Sequence, residues 1–547
     1  MRVVLPAVIA TVLLGSGQAR AQNALDRIDP TEPQQQEELP AELEQRGPTI
    51  RVETPDRTRP THGASYSVGA IAVTGLAALP PAAFVDIVEA FSARALSPAE
   101  LETLADRIAR RARERGYPFA SAWIAPQRLD AGVLFVTVDE GAIGRIDLPG
   151  ADSPAVRATL APLASGRPVT LAELERRLLL VRDIGGTWVR RTRYERQAGI
   201  GVLIVEIDHD PVSARLELNN DGSRPIGPER ARLSVQQNGV FTGADLLAAT
   251  LSVTPFEPEE LQFGHIRYAN RISTAGTELG IAGAISGTRP GAHLADRDIL
   301  GQSWRFELDA RHPVLRRRAA SLWIEGALEV RDLRQERGHL LARHDRVTAL
   351  RAGLYGLADL AGGRLRGRLS VAQGLDLFGA TDQGDPLASR PDASPDFTLL
   401  SGWADWTAGL AKRVSVRLSA TGQLSTQPLL VSEEIGLGGT RFLRGYNYNE
   451  RSGEQGIIGG AELRYDLPQP VALVRHAQLY VFGDGGVVGN LGDGRGGGSL
   501  ASAGAGVRTA VTRDLGVDLQ LAFPLTGPRY DTRDRSPRFT FAIRQAF

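Results

Sequence analysis

From His209 onward, apolar and polar side chains alternate along segments of roughly ten residues. In Val212–Asn219 the even positions Val212, Ala214, Leu216 and Leu218 are apolar, and the odd positions Ser213, Arg215, Glu217 and Asn219 are polar. The same division runs through Ser303–Asp309 and Val414–Ser419. In the last segment Phe539, Phe541, Ile543 and Phe547 stand against Thr540, Ala542 and Arg544. Strand side chains point alternately to opposite faces, so each segment predicts a strand with one greasy and one wet face. Gly, Asp, Asn and Pro turns separate the segments. Sixteen candidate strands begin near residues 212, 229, 246, 261, 277, 302, 320, 344, 364, 399, 414, 456, 476, 501, 514 and 538.

Alternation alone does not say which face is wet. A soluble β-propeller or solenoid buries the apolar face, whereas a membrane barrel turns it to lipid. Three features favour the barrel: an N-terminal export signal, arginines repeated on the polar faces, and the aromatic Phe547 on the last segment. Tilted strands of about 9–11 residues span an outer membrane, and bacterial barrels have even strand numbers. Lipid leaves no backbone group unpaired, so a spanning sheet must close. The expected fold is a transmembrane β-barrel of about sixteen antiparallel strands over 209–547.

Upstream the periodicity differs. Met1-Arg2, an apolar run from Val3 to Leu14 and Ala19-Arg20-Ala21 read as a signal peptide over 1–21, too short to cross a bilayer as a helix. Residues 22–66 are rich in Pro, Gln and Glu; a short helix fits Glu37–Arg46, and so does a flexible tether. Residues 67–141 predict strand, helix, helix, strand, strand. Ser97, Pro98 and Glu100 supply a capping box for the second helix and Gly116 stops it. Residues 142–208 repeat the order, with Thr170 capping Leu171–Arg182.

Two motifs then matter. Gly438-Gly439-Thr440-Arg441-Phe442-Leu443-Arg444-Gly445-Tyr446 lies in the long connection between the eleventh and twelfth strands, and Phe482-Gly483-Asp484-Gly485-Gly486 lies on the thirteenth. Asp484 shares a face with Tyr480 and Phe482, opposite Leu479 and Val481. If the latter face lipid, Asp484 faces the lumen, where an unpaired carboxylate is costly. The motifs resemble the R-G-Y loop motif and the F-x-D-x-G strand motif of the BamA-related outer-membrane superfamily. The two modules resemble POTRA domains. Together they resemble the two-partner secretion transporters of the hemolysin secretion/activation type. The resemblance implies that the loop folds back into the lumen and that Arg444 meets Asp484, with Gly445 allowing a tight turn and Tyr446 packed near the tip. It implies a plugging N-terminal helix, which Pro40 puts in question here. It implies an unfolded secreted partner, a large β-helical exoprotein, added as an extra strand to an open module edge. Phe547 is the expected barrel signal for the assembly machinery.

Composition narrows the chemistry. The 547 residues carry 63 basic and 63 acidic side chains, so no bulk charge attracts nucleic acid. There is no cysteine, and Lys412 is the single lysine, which leaves no thiolate site and no P-loop lysine. No nucleophile elbow or zinc motif occurs. The arginines at 107, 110, 111, 113 and 115 form a solvated or a docking face. The expected function is export of a partner polypeptide through the barrel, with neither cofactor, metal nor enzymatic step. A barrel-assembly insertase and a secreted β-rich adhesin or enzyme are the alternatives.

Overall fold

The computed structural model describes residues 50–52 and 65–547, except 130, 151 and 152. The expected signal peptide and the helix over Glu37–Arg46 lie outside the described residues.

A short segment, β1 (Ile50–Val52), precedes two small modules. The first contains β2 (Tyr66–Val68), β3 (Ala70–Thr74), α1 (Val85–Phe91), β4 (Arg94–Leu96), α2 (Pro98–Glu114), β5 (Ser121–Trp123) and β6 (Val133–Asp139). Helix α2 starts where its capping box dictates. Ser97 Oγ accepts from the Glu100 N–H, and the Ser97 N–H donates to the Glu100 carboxylate at 2.9 Å. Those bonds hold the Glu100 carboxyl below the usual carboxylate range. Gly116, at φ +97°, ends the helix. Leu104, Ile108 and Ala112 form the buried stripe against Phe84, Leu96 and Val136. The arginine-rich face is not simply solvated: Arg111 forks onto Asp86 at 2.8 and 2.7 Å, and Arg113 donates to the Ala120 carbonyl.

The second module contains β7 (Arg145–Asp147), α3 (Pro154–Leu160), α4 (Leu171–Arg182), β8 (Thr187–Gln197) and β9 (Ile200–His209). Both modules use one topology. β3 runs parallel to β6 and β5 antiparallel to it, as β7 and β8 do to β9: β3-β6-β5 and β7-β9-β8. The internal repeat is thus one of topology as well as element order. One difference was not expected: β1 adds to the outer edge of β8 in parallel, Ile50 opposite Thr192 and Val52 opposite Tyr194. The ring of Phe119 stacks on Tyr194 at 4.3 Å, joining the modules.

The rest is a closed sixteen-stranded antiparallel barrel. Its strands are β10 (Val212–Asn219), β11 (Arg230–Asn238), β12 (Asp245–Val253), β13 (Gln262–Arg271), β14 (Glu278–Thr288), β15 (Ile299–Arg316), β16 (Ala320–Arg337), β17 (Leu340–Leu360), β18 (Gly363–Gly374), β19 (Thr398–Ala411), β20 (Val414–Ser425), β23 (Gln455–Val471), β24 (Val474–Gly489), β25 (Gly498–Ala510), β26 (Leu515–Pro524) and β27 (Arg538–Ala546). Two further short strands, β21 (Ile435–Leu437) and β22 (Arg451–Gly453), pair inside the β20–β23 loop. The barrel closes between β10 and β27, where Arg215 faces Ala546 and the Phe547 N–H donates to the Ala214 carbonyl. The alternation sorts as physics requires: Leu479 and Val481 are exposed on the outside, while Tyr480, Phe482 and Asp484 are buried on the inside.

The second module sits on the barrel's rim. Arg316 of β15 forks onto Asp183 at 2.9 and 2.6 Å, and Arg271 of β13 donates to the Leu180 carbonyl at 2.5 Å. Arg177 reaches the Thr274 carbonyl. Helix α4 therefore caps the turns β13–β14 and β15–β16.

Candidate functional site: a loop anchored inside the barrel

The connection from β20 to β23 is the longest between barrel strands, and it does not stand out in solvent. Its first part is tied to the wall by Leu429 and Leu430, packed against Val347, Phe397 and Leu399. Arg351 Nη2 of β17 then donates to both carboxylate oxygens of Glu433, at 3.0 and 2.8 Å, and Arg331 of β16 donates to the Ser432 carbonyl. Strands β21 and β22 draw the loop into a hairpin. Gly438 and Gly439 stand at φ +108° and +119°, where a side chain is strained, and a Cβ on Gly438 would collide with the Asn447 carbonyl.

Between the two strands of that hairpin a tight turn presents Arg444. The Tyr446 N–H donates to the Leu443 carbonyl at 2.9 Å, and Leu443 takes the left-handed conformation at φ +55°. Leu437, Phe442, Leu443 and Tyr446 pack onto Ile458, Val488 and Leu500 of the wall. This buries the apolar half of the motif and turns the guanidinium toward β23 and β24.

There Arg444 is held from several sides. Its Nε donates to Asp484 Oδ2 at 3.0 Å and its Nη2 to Asp484 Oδ1 at 3.2 Å. Its Nη1 donates to Glu462 Oε2 at 2.9 Å. The ring of Phe482 lies 3.4 Å beneath the guanidinium carbon. A planar fork over an aromatic face is an arrangement lysine cannot reproduce. Burial makes the pairing obligatory, since Asp484 has no exposed side-chain surface. Glu462 also accepts from Arg464 at 2.6 Å and from Arg508 at 2.6 Å. Arg508 in turn covers Tyr480 and reaches Asp518. The anchor is therefore one corner of a charged network across β23, β24, β25 and β26.

Glycines make the room. Gly460 faces Asp484 across the β23–β24 ladder, and a Cβ there would stand 2.6 Å from Asp484 Oδ1. Gly504, opposite Phe482 on β25, leaves space for its ring. Gly486 clears the position of Leu437, which would otherwise meet a Cβ at 3.0 Å. The F-x-D-x-G spacing thus has a physical content: a platform, a carboxylate and a clearance on one face at successive alternate positions.

Two motif residues gain a physical reason. Gly445 lies inside the Leu443–Tyr446 turn without a positive φ, and contact also fixes it, because a Cβ would lie 2.9–3.1 Å from the backbone of Phe523 and Pro524. Tyr446, between β21 and β22, is fully buried: its hydroxyl meets Thr526 Oγ1 at 2.9 Å and the Gly527 carbonyl at 3.1 Å, and its own carbonyl accepts from Arg538. Phe547 stands apart from this site, at the β10–β27 seam, with its side chain exposed. Sequence reasoning missed Glu462, which carries no motif. Its parity with Gly460 and Arg464 on the twelfth strand was the available signal. It also missed Arg390, which ties Asp392, Glu434, Glu454 and the Leu491 carbonyl together between three loops at the far rim.

Residues 199–509 match the family model for the haemolysin secretion/activation protein ShlB/FhaC/HecB. The chain belongs to that family. Residues 67–141 match the ShlB-type POTRA domain. Among curated relatives, the outer membrane transporter CdiB of Escherichia coli is 25% identical over 450 residues, covering 78% of this chain and 73% of its own. The heme/hemopexin transporter protein HuxB of Haemophilus influenzae is 22% identical over 392 residues, covering 70% and 69%. The solved structure of CdiB from Escherichia coli superposes with a TM-score of 0.71 at 22% identity, over 93% of this chain and 95% of that one. BamA from Haemophilus ducreyi lacking POTRA domains 1–3 gives 0.54 at 13% identity over 88% and 100%, a likeness of fold alone. The chain is an outer-membrane transporter of the two-partner secretion type, and the POTRA domains of this family are periplasmic. The end of the barrel that meets α4 is therefore periplasmic, and the loop carrying Arg444 enters from the opposite end.

Proposed function

We propose that the transporter accepts an unfolded secreted partner in the periplasm and passes it through the barrel, with the Arg444 anchor holding the β20–β23 loop in the lumen. The observation that carries this reading is the guanidinium clamped between Asp484 and Glu462 on the inner wall. A buried ion cluster that anchors a loop to the wall can be made or broken, which would give the passage an attached and a released state.

The client enters as a strand. Edge strands β3 and β5 of the first module each pair only with β6 among the described residues, so each leaves a row of backbone groups. Main-chain pairing is tolerant of sequence and suits an unfolded chain. The partner is a large β-helical exoprotein whose folding outside gives the transport its direction. Assembly of the transporter itself is through the barrel-assembly machinery, with Phe547 on the last strand as the recognised end.

The test is export of a partner in cells carrying the parent or Arg444→Ala. The variant is expected to insert and run as a heat-modifiable barrel yet lose most secretion. Undiminished export by the variant sinks the gating role of Arg444, and failure of the parent to export any β-helical candidate sinks the partner assignment.

A further inference from the structure

The lipid-facing surface of β15, β16 and β17 contains a charged cluster that the transport reading does not use. Residues opposite one another in these ladders share a face. The rung Leu308, Leu328 and Leu350 is apolar, and the next is Phe306, Val330 and Thr348. The third is Trp304, Asp332 and Arg346, and the fourth Gln302, Arg334 and His344. Trp304, Phe306, Leu308 and Leu350 are exposed, which fixes this face as the outer one. The ladder therefore turns from hydrocarbon-like to cationic within two rungs, on the outside of the barrel.

The height agrees with a headgroup level. From Leu322, beside the periplasmic turn, to Asp332 there are about ten residues. At about 3.3 Å each and a tilt near 40°, they rise about 25 Å, the height of the apolar band of such barrels. An aromatic ring on the same rung is the usual marker of the interface. Charge on a lipid-facing strand is costly at mid-membrane and tolerated near the interface.

The cluster is built rather than incidental. Asp332 is buried and accepts from Arg334 Nε at 3.1 Å and Arg346 Nε at 2.8 Å, with His344 Nε2 at 2.9 Å. One carboxylate thus orients two guanidinium groups and an imidazole, leaving a positive surplus. The Arg334 side chain remains 51% exposed. The loop after β18 then adds a greasy flank. Arg346 Nη1 donates to the Phe378 carbonyl, Phe378 is held in the left-handed region at φ +55°, and its ring is 64% exposed beside Leu377.

We infer that this face is a binding site for the phosphorylated headgroup of an outer-leaflet lipid, with Arg334, Arg346 and His344 on the phosphate and Trp304, Leu377 and Phe378 along the acyl chains. Phosphate is an anion that guanidinium groups recognise well, here through the donors that Asp332 and the Phe378 carbonyl do not occupy. The apolar flank assigns it to a lipid rather than to free phosphate.

The experiment uses the full chain in detergent and follows binding of diphosphoryl lipid A, with monophosphoryl lipid A and inorganic phosphate as comparisons. The double variant Arg334→Gln/Arg346→Gln is expected to bind diphosphoryl lipid A about 25-fold more weakly, about five-fold for each arginine. Arg334→Lys, which keeps the charge without the planar donors, is expected to bind more tightly than Arg334→Gln and more weakly than the parent, and millimolar phosphate displaces little of the binding. Equal binding by parent and double variant overturns the site. Full displacement by millimolar phosphate overturns the lipid assignment. Heat-modifiable gel mobility verifies that each variant is folded. Should the double variant fail to fold, the exposed Arg334→Gln alone carries the test through its five-fold loss.

Discussion

Arg444 anchors a long loop to the wall, and its setting depends on space as much as on charge. Breaking a buried pair by removing one partner costs about 3–5 kcal/mol, because the other charge stays behind. Arg444→Lys should therefore behave like the alanine variant: the ammonium is a point donor and cannot fork onto Asp484, reach Glu462 and lie flat on Phe482 together. Its export is expected to fall at least tenfold while the barrel stays heat-modifiable; parental export by the lysine variant would mean that charge alone suffices. Gly445→Ala and Gly460→Ala should match it without removing a charge. The first drives a methyl into the Phe523–Pro524 backbone, the second into the Asp484 carboxylate. Gly483→Ala, whose Cβ would meet nothing within 4 Å, is the control and should export normally. The face of Asp484 was legible from parity alone, because β24 alternates without a break. The partner Glu462 was not, because sequence gives the parity of a strand but not its register against the next. The reason for Gly445 was hidden for the same cause: its neighbour lies 79 positions on in sequence, at Pro524.

At the scale of elements, the contact between α4 and the barrel rim decides how the modules present their edges to the lumen. Arg316 and Asp183 are both nearly buried and bonded at two points. Asp183→Ala leaves the Arg316 guanidinium buried without its carboxylate, and limited proteolysis of the second module in the intact protein should quicken about tenfold or more. The exchange Asp183→Arg with Arg316→Asp should recover most of the protection, since the pair is kept. Equal cleavage of parent and single variant would show that Arg271, Arg177 and their carbonyl partners hold the rim unaided. The strands of the barrel were legible within a few residues of each start, because period-two alternation bounded by turn residues is a local signal. Strand β1 was not legible. Three residues in a polar, proline-bearing segment carry no periodicity, and what makes them a strand is the edge of β8 far away in sequence. That pairing occupies in the second module the edge that β5 leaves unpaired, among the described residues, in the first.

For the whole molecule, the question is what the lumen does to ions when no client fills it. The interior is rich in arginine, yet its charges come in opposite-sign contacts. Arg267 meets Asp309 at 2.8 Å and Glu278 at 3.1 Å, Arg311 and Arg368 share Glu325, and Arg508 shares Glu462 with Arg444. A lining paired to this degree leaves only a modest positive field to concentrate one ion over the other. Full-length protein in planar bilayers should therefore conduct both signs, with a reversal potential close to zero in a salt gradient and a permeability ratio within about threefold. Removing residues 67–208 leaves all sixteen barrel strands, so the pore and its weak selectivity should persist while export stops. Arg444→Ala takes the clamp from the loop, so its conductance should rise above that of the parent, and its reversal potential should move toward cation preference because Asp484 and Glu462 lose a shared cation. A pore that is strongly selective in the parent would contradict the paired lining. A variant whose conductance matches the parent would mean that the β20–β23 loop stays in the lumen without its anchor, held by Tyr446 and the hairpin instead.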